Sequence, residues 1–190
     1  ANAGGPYATS EGASLVVSGA LSMDPNGDRL NYAWDLNNDG MFTDAAGMTA
    51  TIIFPDGPDT RRIALRVSDE SGVTGTQTTT VTINNVAPRV STTGPYTGAK
   101  GSPIAFTGNY TDVPSDTHTF LWSFGDGGAS TLRTPTHAYA DNGVYTAVFT
   151  TTDDDGGFNV VSTTVTVRYV THLPLVARHA GSVGGDSSRR

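Results

Sequence analysis

Between Asp35 and Asp44 oxygen-bearing side chains stand at alternate positions: Asp35-x-Asn37-x-Asp39-Gly40-x-Phe42-x-Asp44. A hard cation such as calcium takes six to eight oxygen ligands, and alternate side chains in a tight loop supply them. Positions 1, 3 and 5 of such a loop, and the glycine at position 6, are all met. Position 12, where a bidentate glutamate belongs, is Ala46, and Asp44 at position 10 is a partial substitute. The same residues also suit a wide hairpin loop whose Asp and Asn side chains bond to their own backbone.

Other chemistries find little to work with. There are no cysteines, so disulfides, thiolate metal sites and cysteine nucleophiles are excluded. The four histidines (His118, His137, His172 and His179) show no zinc spacing. Glu11 and Glu70 are the only glutamates, and the acidic residues cluster near expected turns. A glycosidase would need two carboxylates across one cleft. No G-x-S-x-G elbow is present. The expectation is a chain that is not an enzyme.

The net charge of −7 is uneven. Residues 1–86 hold 10 acidic and 4 basic residues, residues 87–168 hold 7 and 4, and residues 169–190 hold 1 and 3. An acidic surface repels phosphate backbones, so nucleic acid is not an expected partner. The first half is the better host for cations. No run of 18 apolar residues spans a membrane. No signal peptide opens the chain, so any targeting signal is expected to lie outside it.

The elements that must position these residues are strands. Leu30, Tyr32, Trp34 and Leu36 alternate with Asn31, Ala33 and Asp35, which predicts a half-buried strand with the tryptophan inward and Asp35 outward. His118, Phe120, Trp122 and Phe124 give the same pattern 88 residues later, with His118 at the rim. Ile63, Leu65 and Val67 form another inward face, answered by Ala147, Phe149 and Thr151. Gly5-Pro6-Tyr7 returns as Gly94-Pro95-Tyr96, Asp24 as Asp112, and Asp69 as Asp153. This is a duplication: an all-β chain of two tandem immunoglobulin-like β-sandwich domains, residues 1–86 and 87–168. The seam, Asn84-Asn85-Val86-Ala87-Pro88, is short and stiffened by proline. Residues 169–190 form a C-terminal tail expected to be largely disordered, with an apolar island at Leu173–Val176 that suits either packing or a sorting signal.

The second copy reads W-S-F-G-D-G from Trp122 through Gly127, then H-A-Y at His137–Tyr139, G-V-Y at Gly143–Tyr145 and D-D-D-G at Asp153–Gly156. These four ordered motifs resemble the polycystic kidney disease (PKD) domain. The first copy resembles a bacterial variant: it keeps S-M-D-P-N-G-D at Ser22–Asp28, the Trp34 strand and V-S-D-E-S-G at Val67–Gly72. It departs in its longer L-N-N-D-G loop and lacks the H-x-Y element. The resemblance implies a bacterial secreted or surface protein, an extracellular or cell-surface location, and a non-catalytic spacer or interaction module. It implies structural roles for Trp34, Trp122, Asp126, His137, Tyr139 and Tyr145. Some members of the family bind calcium near the edge where the chain enters the domain. The matching residues are Asn2, Asp24, Asp28 and Asp69, a second calcium group beside Asp35, Asn37, Asp39 and Asp44. In the second copy Asp153-Asp154-Asp155 is read as a charged turn. Expected partners are neighbouring domains of a parent protein. The alternative is an accessory module of a secreted hydrolase that binds extracellular polysaccharide or protein, for which Tyr7, Tyr96 and Tyr110 are the candidate surface rings.

Overall fold

A computed structural model describes residues 1–169, all of them in strands, turns and irregular connections. The tail motif Leu173–Val176 lies outside the described residues. Seven strands build the first domain: β1 (Tyr7–Ser10), β2 (Ser14–Ser18), β3 (Asn31–Asp35), β4 (Ala45–Ala46), β5 (Thr49–Ile53), β6 (Asp59–Ser68) and β7 (Thr74–Asn84). They form a sheet of order β1-β7-β6-β3-β4, covered by the pair β2-β5. Nine strands build the second: β8 (Arg89–Thr92), β9 (Tyr96–Ala99), β10 (Ile104–Ala105), β11 (Gly108–Thr111), β12 (His118–Ser123), β13 (Ala129–Ser130), β14 (Thr136–His137), β15 (Gly143–Asp153) and β16 (Phe158–Arg168). Their large sheet runs β13-β12-β15-β16-β9, faced by the pairs β11-β8 and β10-β14. No helix among the described residues is long and apolar enough to cross a membrane.

Alternation along the strands places the cores. Side chains two apart share a face, so β3 sends Trp34 inward opposite Leu65 of β6, and β12 sends Trp122 inward opposite Phe149 of β15. Both tryptophans are fully buried. Trp34 joins Val17, Ala50, Ile63, Leu65, Val81 and Ile83. Trp122 joins Ile104, Phe106, Phe124, Tyr139, Phe149, Val165 and Val167. The two clusters share no residue, so each domain has its own hydrophobic core.

Asp35 departs from the expected alternation. It ends β3 on the nominally outward side yet is only 2% exposed. Its carboxylate folds back under the following loop and accepts the amides of Asp39 and Gly40, at 3.2 and 2.9 Å.

The seam is a contact rather than a free linker. Glu11, just after β1, donates its amide to the Asn84 carbonyl at 3.0 Å and accepts the Val86 amide at 2.7 Å. The Asn85 side-chain amide donates to Asp153 at 3.2 Å, and the Ser115 hydroxyl donates to the Pro55 carbonyl. Loops of both domains therefore close on the connecting residues.

Candidate functional site

The loop after β3 gathers its oxygens around its own backbone. Asn37 accepts the Asp39 amide at 2.9 Å, and Asp39 accepts the Met41 amide at 2.7 Å. Asp44 accepts the amides of Leu36 and Asn37 at 2.7 and 3.1 Å. With the two amides on Asp35, every carboxylate of the loop holds at least one N–H. Such local bonds shape turns without help from an ion.

The second group converges. Asp24, Asp28 and Asp69 bring one carboxylate oxygen each within 4.8 Å of one another. Two turns present them. Asp24 Oδ1 accepts the amides of Asn26 and Asp28, at 2.7 and 3.2 Å, and Asp69 Oδ1 accepts the Val73 amide at 2.9 Å. Their Oδ2 atoms take no part in these bonds. Asn2 lies at the adjoining edge: its amide donates to Ser22 Oγ at 2.9 Å, and its side-chain oxygen accepts the Gly4 amide at 2.9 Å. Three mutually close carboxylate oxygens suit a hard cation that needs oxygen donors.

The duplication places a related trio in the second domain, Asp112, Asp116 and Asp153, also within 4.8 Å. Asp112 and Asp116 follow Asp24 and Asp28 by 88 residues each. That offset was the available signal for Asp116. Here His118 Nε2 lies 2.9 Å from Asp112 Oδ2, with the ring packed on Tyr110 at a centroid distance of 4.4 Å. Asp153 takes the Gly157 amide and the Asn85 side chain. A further group, which sequence reasoning missed, spans the domains: Glu11 and Asp56 from the first with Asp116 and Asp155 from the second.

The H-A-Y segment sits beside the W-S-F-G-D-G turn. His137 stacks on Phe124 at 4.0 Å and 3° and lies 2.7 Å from Asp126 through Nε2. Burial pushes the Asp126 carboxyl up, but the bonds from His137 and the Gly128 amide outweigh it and hold it below the usual carboxylate range. Tyr139 is fully buried and donates to the Phe124 carbonyl at 3.0 Å, and burial pushes its hydroxyl up to about 12. Tyr145 stacks on Tyr139 at 4.3 Å and donates to the Asp141 carbonyl. These contacts tie β14 to β12 and β15.

The candidate surface rings are partly inside. Tyr7 accepts the Ser18 amide at 3.0 Å and donates to the Ala3 carbonyl at 2.9 Å. Tyr96 takes the Thr107 amide at 3.1 Å and packs on Phe106 at 4.5 Å. Tyr110 packs on Phe120 at 5.4 Å. A flat ring free to stack on a sugar is not what these side chains offer.

Comparison with known proteins fits this architecture. The PKD domain profile matches residues 1–83 and 85–168. Collagenase ColA of Bacillus cereus is 38% identical over 80 residues, covering 42% of this chain and 8% of that protein. A microbial collagenase of Vibrio alginolyticus is 37% identical over 75 residues, covering 39% of this chain and 9% of that protein. The match thus spans less than a tenth of the length of either collagenase. Among solved structures, the PKD1 domain of Vibrio anguillarum Epp is 26% identical with a TM-score of 0.40, covering 46% of this chain and all of that one. With both halves matched by the profile and each folded as its own sandwich, the chain belongs to the PKD domain family and carries the domain twice in tandem.

Proposed function

We propose that this chain is a non-catalytic extracellular spacer that presents neighbouring domains of a larger secreted or surface protein, stabilised by calcium at Asp24, Asp28 and Asp69. The observation that supports the spacer is the seam. Two sandwiches with separate cores meet through hydrogen bonds from Asn85 to Asp153 and from Ser115 to the Pro55 carbonyl, while Glu11 holds the seam residues Asn84 and Val86 to the first domain, which favours a fixed alignment over free tumbling. The collagenase relatives support the setting, because a bacterial collagenase meets its substrate outside the cell and the matched segment is a small part of it. Between the two calcium groups, convergence favours Asp24, Asp28 and Asp69 over the Asp35–Asp44 loop, whose oxygens already hold backbone amides.

Thermal unfolding with and without the ion tests the calcium assignment. A site with a dissociation constant of about 1 mM adds about 1.4 kcal/mol at roughly 10 mM calcium. For a domain of this size that raises Tm by several degrees. The rise in the first-domain transition is expected to shrink in Asp24→Asn/Asp69→Asn and to persist in full in Asp35→Asn/Asp39→Asn. The opposite pattern would move the ion to the loop after β3.

A second reading, binding of an extracellular protein, has one observation in its favour. Leu121 of β12 and Val160 of β16 both flank Thr150 of β15, and these two side chains with Val144 and Phe158 are exposed. Passage over insoluble collagen, chitin and cellulose separates the two readings. The spacer is expected to elute unretarded from all three; retention on collagen that Leu121→Ser/Val160→Ser abolishes would establish binding instead.

A further inference from the structure

The junction between the domains gathers an acidic group. Glu11 follows β1, Asp56 follows β5, Asp116 precedes β12, and Asp155 lies in the turn between β15 and β16. One carboxylate oxygen of each lies within 4.8 Å of all the others. Two of the four side chains are deeply enclosed: Glu11 is 2% exposed and Asp116 is 9% exposed. Among the described residues, no lysine, arginine or histidine forms an ion pair with any of the four.

The second observation concerns unpartnered atoms. Among the described residues, four buried side-chain N or O atoms lack a hydrogen-bond partner: Glu11 Oε2, Asn85 Oδ1, Asp116 Oδ2 and Thr151 Oγ1. Three of these four belong to the junction, and all three are acceptors. The Asn85 orientation is fixed by its amide nitrogen, which donates to Asp153. A buried acceptor without a donor is costly, and a buried carboxylate without a positive partner is more so. Glu11 and Asp116 belong to the converging group, one from each domain, and an enclosed carboxylate oxygen without a donor on each is what a cation site presents.

The number and kind of donors select the ion class: magnesium usually keeps several waters and takes one or two carboxylates, whereas calcium accepts six to eight oxygens with several carboxylates among them. Carboxylate oxygens are the hard donors calcium takes, and the exposed Asp56 and Asp155 leave room for water ligands.

We propose that Glu11, Asp56, Asp116 and Asp155 form an interdomain calcium site that clamps the two sandwiches together. The site exists only when the domains are docked, because each contributes two ligands. Glu11 occupies both roles at the seam: Oε1 accepts the Val86 amide, and Oε2, which has no hydrogen-bond partner, is the oxygen left for the ion. Without the ion, repulsion acts directly across the junction. The four carboxylates then face one another at close range, Glu11 and Asp56 from one domain against Asp116 and Asp155 from the other. Calcium therefore acts as a brace on the angle between the domains. This deepens the calcium-stabilised spacer with residues separate from Asp24, Asp28 and Asp69.

Calorimetric titration of the full chain with calcium chloride tests the site. Asp56 and Asp155 are exposed, so Asp56→Asn/Asp155→Asn leaves both cores intact; Glu11→Gln keeps the acceptor for Val86 and removes the charge. Each variant is expected to bind one calcium ion fewer than the wild type, while Asp24→Asn/Asp69→Asn retains the junction ion. Alignment measured by residual dipolar couplings is expected to give one common tensor for both domains of the wild type in calcium. Two distinct tensors are expected in EDTA or in the junction variants. Equal stoichiometry in the wild type and Asp56→Asn/Asp155→Asn, or no calcium bound by the wild type at about 10 mM, would overturn the site. Loss of all binding in Asp24→Asn/Asp69→Asn would also overturn it and leave the first-domain site standing alone. Loss confined to the junction variants would sink the first-domain assignment and leave the clamp.

Discussion

Trp122→Ala is expected to lower the stability of the second domain by about 3–5 kcal/mol, the range for removing a large aromatic side chain from a closed core. The indole is fully buried, contacts Phe106 at 5.2 Å and Phe149 at 4.9 Å, and donates from Nε1 to the Arg133 carbonyl at 3.2 Å. Alanine removes the packing, opens a cavity and takes from that carbonyl one of its two donors, the other being the Gly108 amide at 3.0 Å. At about 0.05–0.15 kcal/mol per residue, a domain of this size has roughly 4–12 kcal/mol in total, so the loss takes much of it. The first domain is expected to be spared, because its core shares no residue with the second. Each domain carries one of the two tryptophans, so the variant leaves Trp34 as the sole indole emitter. Urea unfolding in EDTA, followed by Trp34 emission and by far-ultraviolet circular dichroism, checks this. Emission should keep the wild-type first-domain midpoint while the dichroism loses amplitude at low urea. A parallel loss of both signals would contradict independent cores.

The second large effect concerns Gly125 in the W-S-F-G-D-G turn. Its φ is +82°, and a Cβ built there would lie 2.5 Å from the Thr146 carbonyl oxygen of β15. Backbone cannot yield as a flexible side chain can. Two costs combine in Gly125→Ala: about 1–2 kcal/mol for an L-residue in the left-handed region and about 1–3 kcal/mol for overpacking. Gly127 provides the control. Its φ is +93°, but nothing lies within 4 Å of the place a methyl group would take, so Gly127→Ala should show the conformational cost alone. Chemical denaturation of both variants isolates the clash as their difference. Equal destabilisation would mean that β15 gives way and that the close approach of the turn to Thr146 is not required.

Much of the fold was legible because strand alternation has a short period. The inward faces of β3, β6, β12 and β15 follow directly from apolar residues at every second position. Asp35 shows where that logic stops. Alternation assigns it to the outside, but at the end of a strand a carboxylate can turn back and accept the amides of the next loop, and local bonds then decide its burial. The convergence of Asp24, Asp28 and Asp69 was reachable only through resemblance to a family, because the two turns that meet are some forty residues apart in sequence. The junction group was not legible. Glu11, Asp56, Asp116 and Asp155 lie on four loops of two domains, and their meeting depends on how the sandwiches dock. Read singly, Asp155 is one charge in an acidic turn and Glu11 is a lone glutamate between two strands.

The parallel pairing of β1 with β7 bears on how the chain responds to a pull. Tyr7 lies beside Val81 and Ser10 beside Asn84, so the chain enters this pair at one end and leaves at the other. Tension between the two ends slides the strands along each other and loads their bonds together. An antiparallel pair would present both ends at the same side and would peel bond by bond. The second domain repeats the arrangement with β9 along β16, from Tyr96 beside Val165 to Ala99 beside Arg168. Pulled from its ends, the molecule is a tether whose links resist by shear rather than a zipper.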